Sequence, residues 1–241
     1  LSGHRRLRPP AARRPEPAMP GEPLTPEAFQ ARLSVSRETQ DKFRAYAELL
    51  RKWNRAINLV SPTTLDDLWR RHFLDSAQLR DLLPDPPAGS IAGGPRVILD
   101  VGAGAGFPGL VLALLGCGRV HLVESDRRKA EFLREVIRVT GADAELHPQR
   151  VETLAPFPVD VVTCRAFAPL DRILVLTEPF LRPRDGEKTP VGLFLKGRRA
   201  DEELTAAGKM WRLQTERFES ETDPEASILR LRLLSLGDEA T

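Results

Sequence analysis

Hydrophobic residues recur along the chain in two different patterns, which predict two structural regions. Between residues 36 and 79, apolar residues such as Phe43, Tyr46, Leu50 and Trp53 return at the spacing of one helix face. From residue 97 onward, short apolar runs rich in β-branched residues alternate with helical segments. Such alternation is typical of a parallel sheet with helices on both faces. We therefore expect an α/β domain over residues 95–236, preceded by a helical cap over residues 24–84.

The apolar runs predict seven strands, at residues 97–99, 120–123, 144–146, 159–163, 191–195, 211–218 and 227–234. The expected fold is a doubly wound, mostly parallel seven-stranded sheet, a Rossmann-like architecture with an N-terminal helical extension. In such a sheet, ligands bind outside the carboxyl ends of the strands. Asp100, Glu124, Arg165 and Lys196 all fall at or just after predicted strand ends. We expect these side chains to share one edge of the sheet.

A glycine-rich segment, VILDVGAGAGFPG at residues 97–109, connects the first predicted strand to a helix. This arrangement brings a nucleotide against bare backbone amides, so we expect Gly102 and Gly104 to contact the ligand. Residues 104–109 also match the GxGxxG pattern of dinucleotide-binding turns, which is weak evidence by itself.

Asp100 distinguishes between the two cofactors that such a loop could bind. A carboxylate beside the loop would repel a pyrophosphate, but it attracts the sulfonium and ammonium groups of S-adenosylmethionine (SAM). Glu124, at the end of the second strand, is placed to accept the ribose hydroxyls of either cofactor. The residues thus favour SAM and leave a nicotinamide-dependent oxidoreductase as the alternative.

Composition and charge restrict the class of protein. The chain has 241 residues, 41% of them hydrophobic, and no apolar run approaches the length of about 18 residues that a membrane span needs. Its two cysteines form no CxxC pair, which favours a reducing, cytoplasmic setting. Residues 1–23 are rich in Pro and Arg and are predicted to be disordered, as a transit peptide or a gene-start artefact.

The net charge of +2 is too small to make the whole surface basic. RNA binding therefore needs a local patch, and the candidates are Arg71, Arg128, Lys129, Lys196 and Arg198. An ordinary solvated face is the alternative for these residues.

Three other side chains could have either a structural role or a role in ligand binding or catalysis. We expect Cys164 to be a buried apolar residue and His72 to pack on its helix, and we predict no metal site. Phe107 is expected to contact cofactor or base, since a glycine loop has little core to offer an aromatic ring.

Several motifs resemble those of the RsmG (GidB) family: KWNRAINLV (residues 52–60), RHFLDS (71–76), ILDVGAGAGFPG (98–109) and FLKG (194–197). Members are class I SAM-dependent methyltransferases that modify guanine N7 in bacterial 16S ribosomal RNA. The resemblance implies that Gly102 and Phe107 line the SAM site and that Val151 and Glu152 flank the adenine. It also implies that Arg165 reaches the cofactor or the target pocket.

The expected function is therefore methyl transfer from SAM to a guanine N7 of 16S rRNA, by a monomeric cytoplasmic enzyme acting on the small ribosomal subunit. N7 carries a free lone pair, so no proton must be removed before it attacks the methyl group. We name no proton-transfer residue and expect catalysis by positioning, with Arg165 and Lys196 as candidates to orient the target. A non-catalytic SAM- or RNA-binding module is the remaining alternative.

Overall fold

A seven-stranded sheet organises the part of the chain that the computed structural model describes, residues 23–85, 95–183 and 189–236. The strands are β1 (Val97–Val101), β2 (Arg119–Val123), β3 (Ala144–His147), β4 (Val161–Arg165), β5 (Val191–Lys196), β6 (Trp211–Glu219) and β7 (Ser227–Leu236). They lie in the order β3-β2-β1-β4-β5-β7-β6. Strands β1 to β5 are parallel, while β7 runs antiparallel to both β5 and β6. The predicted fold class is confirmed.

The α-helices are α1 (Pro26–Leu33), α2 (Arg37–Asn54), α3 (Asp75–Ala77), α4 (Gly109–Leu114), α5 (Arg127–Thr140), α6 (Leu170–Leu181) and α7 (Ala200–Ala207). Local capping residues set several of these boundaries, as the sequence indicates. The Ser36 hydroxyl accepts a hydrogen bond from the backbone N–H of Thr39 at the start of α2. Asp126 caps α5 in the same way, and Gly141 ends that helix in the left-handed conformation.

The part of the helical extension that follows α2 is not one regular helix. A 3₁₀ turn at Pro62–Thr64 comes first, followed by a π-helical segment, Trp69–Leu74, that continues through α3 into a 3₁₀ segment, Gln78–Leu82. His72, Phe73 and Leu74 are consecutive and all buried. The wider π winding accommodates this run, which a regular helical repeat would split between two faces.

Aromatic packing joins the helical extension to the α/β domain in one hydrophobic core. The rings of Phe43 and Phe73 are fully buried, with centroids 5.2 Å apart. Tyr46 of α2 contacts Phe132 of α5 at 6.2 Å and stacks on Phe107 of the glycine loop at 5.5 Å. The extension therefore packs directly against the loop that the sequence assigns to the cofactor.

Two predicted features fall outside the described residues. These are most of the N-terminal segment predicted to be disordered, residues 1–22, and most of the junction between extension and sheet, residues 86–94. Within the described ranges, no helix has both the length and the apolar character needed to cross a membrane.

We expect Tyr46→Ala to lower the free energy of unfolding by about 3–5 kcal/mol, because a fully buried ring between two regions is lost. Tyr46→Phe should cost about 1 kcal/mol, since it removes the hydroxyl that donates to the Ala105 carbonyl. Urea unfolding measures both. The control Val139→Ala, at a half-exposed surface position, should change stability by less than about 0.5 kcal/mol. A Tyr46→Ala cost no larger than this would contradict a shared core.

Candidate functional site

A cavity of about 500 Å³ opens at the carboxyl ends of β1, β2 and β4, where a doubly wound sheet binds its ligands. It brings together eight of the residues singled out from the sequence: Gly102, Gly104, Phe107, Glu124, Lys129, Val151, Glu152 and Arg165. They come from segments up to 63 residues apart in the chain, so only the fold assembles them. The size suits a nucleotide-sized ligand.

Asp100 is the exception among the predicted cofactor residues, because it lies beneath the glycine loop and does not line this cavity. Its Oδ2 accepts a hydrogen bond of 2.9 Å from the backbone N–H of Gly109. A Cβ atom at position 109 would come within 2.5 Å of the same oxygen, so the approach requires glycine. Asp100 thus fixes the loop from below and does not face the cavity.

Burial also changes the ionisation of Asp100. Desolvation raises the pKa of its carboxyl from 3.8 to about 7, against the opposing effects of the Gly109 N–H and the Arg165 charge. Its Oδ1 is buried and has no hydrogen-bond partner among the described residues. A largely neutral acid fits this environment better than a fully ionised carboxylate.

Glu124 holds the other side of the loop and does line the cavity, as predicted. Its Oε2 accepts from the Gly104 N–H at 2.8 Å and its Oε1 accepts from the Asp126 N–H at 2.7 Å. Each carboxylate oxygen keeps a further lone pair for a ligand hydroxyl. Glu124 therefore both shapes the loop and presents acceptor oxygens to the cavity.

Phe107 contradicts the expectation that the glycine loop has no core to offer it. Its ring is buried and stacked, with Tyr46 at 5.5 Å and His72 at 5.0 Å. The helical extension supplies this core, which the loop sequence by itself could not reveal. Phe107 lines the cavity but is only 3% exposed, so it supports the site mainly by packing.

Arg165, at the end of β4, is anchored by a hydrogen-bond network that includes the extension. Its guanidinium donates to the Arg71 carbonyl at 3.0 Å, to Asp75 Oδ2 at 3.1 Å and to His72 Nδ1 at 2.7 Å. The guanidinium carbon also lies 4.8 Å from the centre of the Phe107 ring, a cation–π contact. These contacts fix the orientation of Arg165 before any ligand binds.

His72 is structural, as expected, and its ring is neutral. Burial and the positive charges of Arg165 and Arg71 lower its pKa to about 3. Because Nδ1 accepts from Arg165, the ring proton lies on Nε2, 2.8 Å from the Thr64 hydroxyl. His72 therefore links Arg165 to Thr64 of the 3₁₀ turn through two hydrogen bonds.

A second cavity of about 400 Å³ adjoins the first and shares four wall residues with it, Leu59, Val60, Arg165 and Ala166. Its other wall comes from the extension and from the segments that follow β5 and β6. Polar groups include Arg71, Asp75 and Thr222. Two cavities that meet at Arg165 can hold two reactants side by side.

The predicted basic residues divide into two groups. Arg71 lies at the second cavity, Lys129 at the first, and Arg128 and Arg198 are exposed. Lys196 also lines the second cavity, but it is buried, and its ammonium lies 2.8 Å from both Glu203 Oε2 and the Ala168 carbonyl. Its charge is already compensated, which corrects the expectation that it presents a free charge to RNA.

Sequence reasoning missed two wall residues that immediately follow Arg165. Ala166 adopts φ = 51°, a left-handed conformation that is costly for a residue with a Cβ, and it lines both cavities. Phe167 is 39% exposed and lines the first cavity next to Gly102. An aromatic residue directly after a buried strand was the available signal for Phe167; nothing local in the sequence marks Ala166. Cys164 is buried within β4, as expected for an apolar residue, and burial raises its pKa.

Comparison with known proteins places this geometry in context. The family model described as "GidB: rRNA small subunit methyltransferase G" matches residues 39–226. The chain is 56% identical over 208 residues to the ribosomal RNA small subunit methyltransferase G of Rhodospirillum rubrum, covering 86% of this chain and 97% of that protein. It is 50% identical over 214 residues to the protein of the same name from Paramagnetospirillum magneticum, covering 89% and 98%.

Solved structures resemble the chain in fold only. A mutant of the protein MtNAS matches with a TM-score of 0.51 and 16% identity, covering 87% of this chain and 81% of that one. A complex of a mutant of the same protein with S-adenosylmethionine matches with a TM-score of 0.50 and 15% identity, covering 87% and 84%.

The raised pKa of Asp100 predicts a specific pH dependence of stability. Between pH 4 and pH 7 the folded chain holds a proton that the unfolded chain releases, so this contribution to stability falls as pH rises through 7. Asp100→Asn keeps the acceptor for Gly109 and removes the titration. We expect the wild-type loss between pH 5 and pH 7 to exceed that of the variant by about 2 kcal/mol.

Urea unfolding at pH 5 and pH 7 measures this difference. Asp41→Asn, at an exposed carboxylate of α2, is the control and should behave as the wild type does. The same pH dependence in wild type and Asp100→Asn would mean that Asp100 is ionised in the folded chain.

Proposed function

The chain belongs to the GidB family of rRNA small subunit methyltransferase G, and from this premise we propose how its two cavities divide the reaction between them. It is a methyltransferase that uses S-adenosylmethionine to modify small-subunit ribosomal RNA. We propose that SAM occupies the first cavity, that a guanine enters the second, and that N7 of this guanine receives the methyl group. The junction of the two cavities at Arg165 and Ala166 is the observation that carries the proposal.

The residues of the first cavity fit SAM. Glu124 offers carboxylate lone pairs at the end of β2 for the ribose hydroxyls, and the backbone at Gly102 and Gly104 can approach the ligand without side chains between. Val151 gives an apolar wall for the adenine, with Glu152 beside it. When bound, SAM supplies the electrophilic methyl group.

The second cavity suits a base that needs no deprotonation. Guanine N7 is an acceptor with a free lone pair, next to the O6 acceptor on the same edge. Arg165 is a fixed donor at the junction, able to hold O6. The neutral His72 also lines this cavity, but its ring nitrogens are occupied by Arg165 and Thr64. Methyl transfer then depends on aligning N7 with the methyl group, for which rigid positioning can account.

The RNA backbone has basic side chains to follow outside the two cavities. Arg71 lies at the second cavity, and Arg128 and Lys129 begin α5 beside the first. Phosphate contacts of this kind dominate RNA affinity and carry its salt dependence. We include Arg198 in this path, and we exclude Lys196 because of its ion pair with Glu203. A cytoplasmic location and a monomeric state, which the sequence predicts, complete the proposal.

Methylation of small ribosomal subunits from a strain lacking this modification tests the function. Labelled SAM should transfer its methyl group to small-subunit RNA, and nucleoside analysis should identify the product as 7-methylguanosine. We expect Glu124→Ala to weaken SAM binding by about 1.5–3 kcal/mol, the value of charge-assisted hydrogen bonds, when measured by calorimetry. The exposed control Glu131→Ala should bind SAM as the wild type does.

A different methylated nucleoside would disprove the guanine N7 assignment. Unchanged SAM affinity in folded Glu124→Ala would remove this carboxylate from the cofactor site.

The RNA path predicts a salt effect for Arg128→Ala. Loss of one phosphate contact should weaken binding of small-subunit RNA and lower the slope of log affinity against log salt by about 0.7–0.9, with SAM affinity unchanged. Arg138→Ala is the matched control, because Arg138 is exposed at the other end of α5 and pairs with Glu135. Equal salt slopes for the two variants would place the RNA elsewhere.

A further inference from the structure

Three side chains that could bind a metal ion meet on one face of the sheet edge, on strands β2 and β3. His121 lies on β2, and Glu145 and His147 lie on β3, with His121 opposite Glu145 in the strand register. Glu145 and His147 are two residues apart and therefore point to the same face. None of the three lines the first or the second cavity.

The donor atoms of this group converge. His121 Nδ1 is 2.9 Å from His147 Nε2, Glu145 Oε2 is 4.0 Å from His121 Nδ1, and one donor atom from each residue lies within 4.8 Å of the others. At 2.9 Å the two ring nitrogens share one proton, so at least one of them directs a lone pair at the other. A metal ion can take the place of that proton and use both lone pairs.

We propose that His121, Glu145 and His147 bind a zinc ion, with water in the fourth position. Two imidazoles and a carboxylate are a ligand set that Zn²⁺ accepts, at about 2.0–2.2 Å from each donor and in tetrahedral geometry. That geometry places donor atoms about 3.3 Å apart. The two nitrogens must separate by a few tenths of an ångström, and the Glu145 carboxylate must approach His121 by about 0.7 Å and His147 by up to about 1.5 Å.

The surroundings permit these small movements while keeping the two rings aligned. Phe157 packs against both imidazoles, with centroids 4.6 Å from His121 and 6.1 Å from His147. Glu145 is 47% exposed, and its ion pair with Arg119 lies at the surface, where such pairs are weak. The carboxylate can therefore turn from Arg119 to a metal ion at little cost.

The position of the site gives the ion a structural role. Among the described strands, β3 is the edge of the sheet and pairs with β2 alone. The His147 carbonyl accepts a hydrogen bond of 3.2 Å from the N–H of Glu124, which lines the SAM cavity. An ion held by both strands would fasten the sheet edge directly behind the cavity wall.

Zinc binding to the full-length chain, freed of metal by a chelator, tests the proposal without any methylation assay. Titration against a chromophoric zinc indicator should give one tight site per chain. X-ray absorption at the zinc edge should fit two imidazole ligands. Zinc should also raise the melting temperature in a concentration-dependent manner, because it binds the folded state.

Variants separate this site from other zinc-binding groups. His121→Asn with His147→Gln should lower zinc affinity by at least about 100-fold and abolish the melting shift, since loss of an outer-sphere partner alone costs about 10–100-fold. Arg119→Ala should bind zinc at least as tightly as the wild type, because it releases Glu145. Glu135→Gln, at a partly exposed carboxylate of α5, is the matched control and should not change the affinity.

Circular dichroism and SAM affinity verify that each variant is folded. Absence of a tight zinc site in the wild type would overturn the proposal. Equal zinc affinity in the wild type and the double variant would overturn it as well, because the ion would then be held elsewhere in the chain.

Discussion

The site depends on two hydrogen bonds that the backbone of the glycine loop donates to acidic side chains. Asp100 accepts a hydrogen bond from the Gly109 N–H, and Glu124 accepts one from the Gly104 N–H. Asp100 belongs to β1, and Glu124 directly follows β2. The loop is thus bonded to both strands, and it keeps its shape only while β1 and β2 lie next to each other. At Gly109 the absence of a Cβ atom lets Asp100 approach the backbone, since a Cβ there would come within 2.5 Å of Oδ2. This glycine is therefore required by the packing of the loop against β1.

The helical extension completes the reaction site and does more than cover the sheet. Phe107 is held between Tyr46 and His72, and His72 in turn accepts a hydrogen bond from Arg165. Asp75 of the same extension neutralises that arginine. A displacement of the extension would therefore change both the glycine loop and Arg165, the one basic side chain that the two cavities share among the described residues. The orientation of Arg165 and the stability of the fold thus depend on the same packed aromatic cluster.

Charge compensation distinguishes the basic residues beside the two cavities. Lys196 pairs with Glu203 and Arg165 pairs with Asp75, and the side chains of both pairs are mostly buried. Arg71 pairs with Asp223 at 3.2 Å but stays 43% exposed, so its pairing is weak. The proposed RNA path therefore uses exposed arginines beside the cavities, which does not require a strongly basic protein body.

The sequence by itself determined the elements whose signals are local. Alternating apolar runs gave the seven strands, Asp126 and Gly141 marked the ends of α5, and the glycine loop and Glu124 marked the cofactor edge. The family motifs identified the activity. These features could be predicted because each depends on neighbouring residues, on strand periodicity or on a motif with fixed spacing.

The tertiary structure decided what depends on contacts between distant segments. Asp100 lies beneath the loop, Phe107 is packed by the extension, Lys196 is compensated by Glu203, and Ala166 is strained at the junction of two cavities. The meeting of His121 with Glu145 and His147 depends in the same way on the register of β2 and β3. The alternation in β3 shows that Glu145 and His147 share a face, but one strand's sequence does not specify which residue of its neighbour stands opposite. Burial, ion pairing and register are fixed only when the whole chain packs, because each depends on side chains far away in sequence.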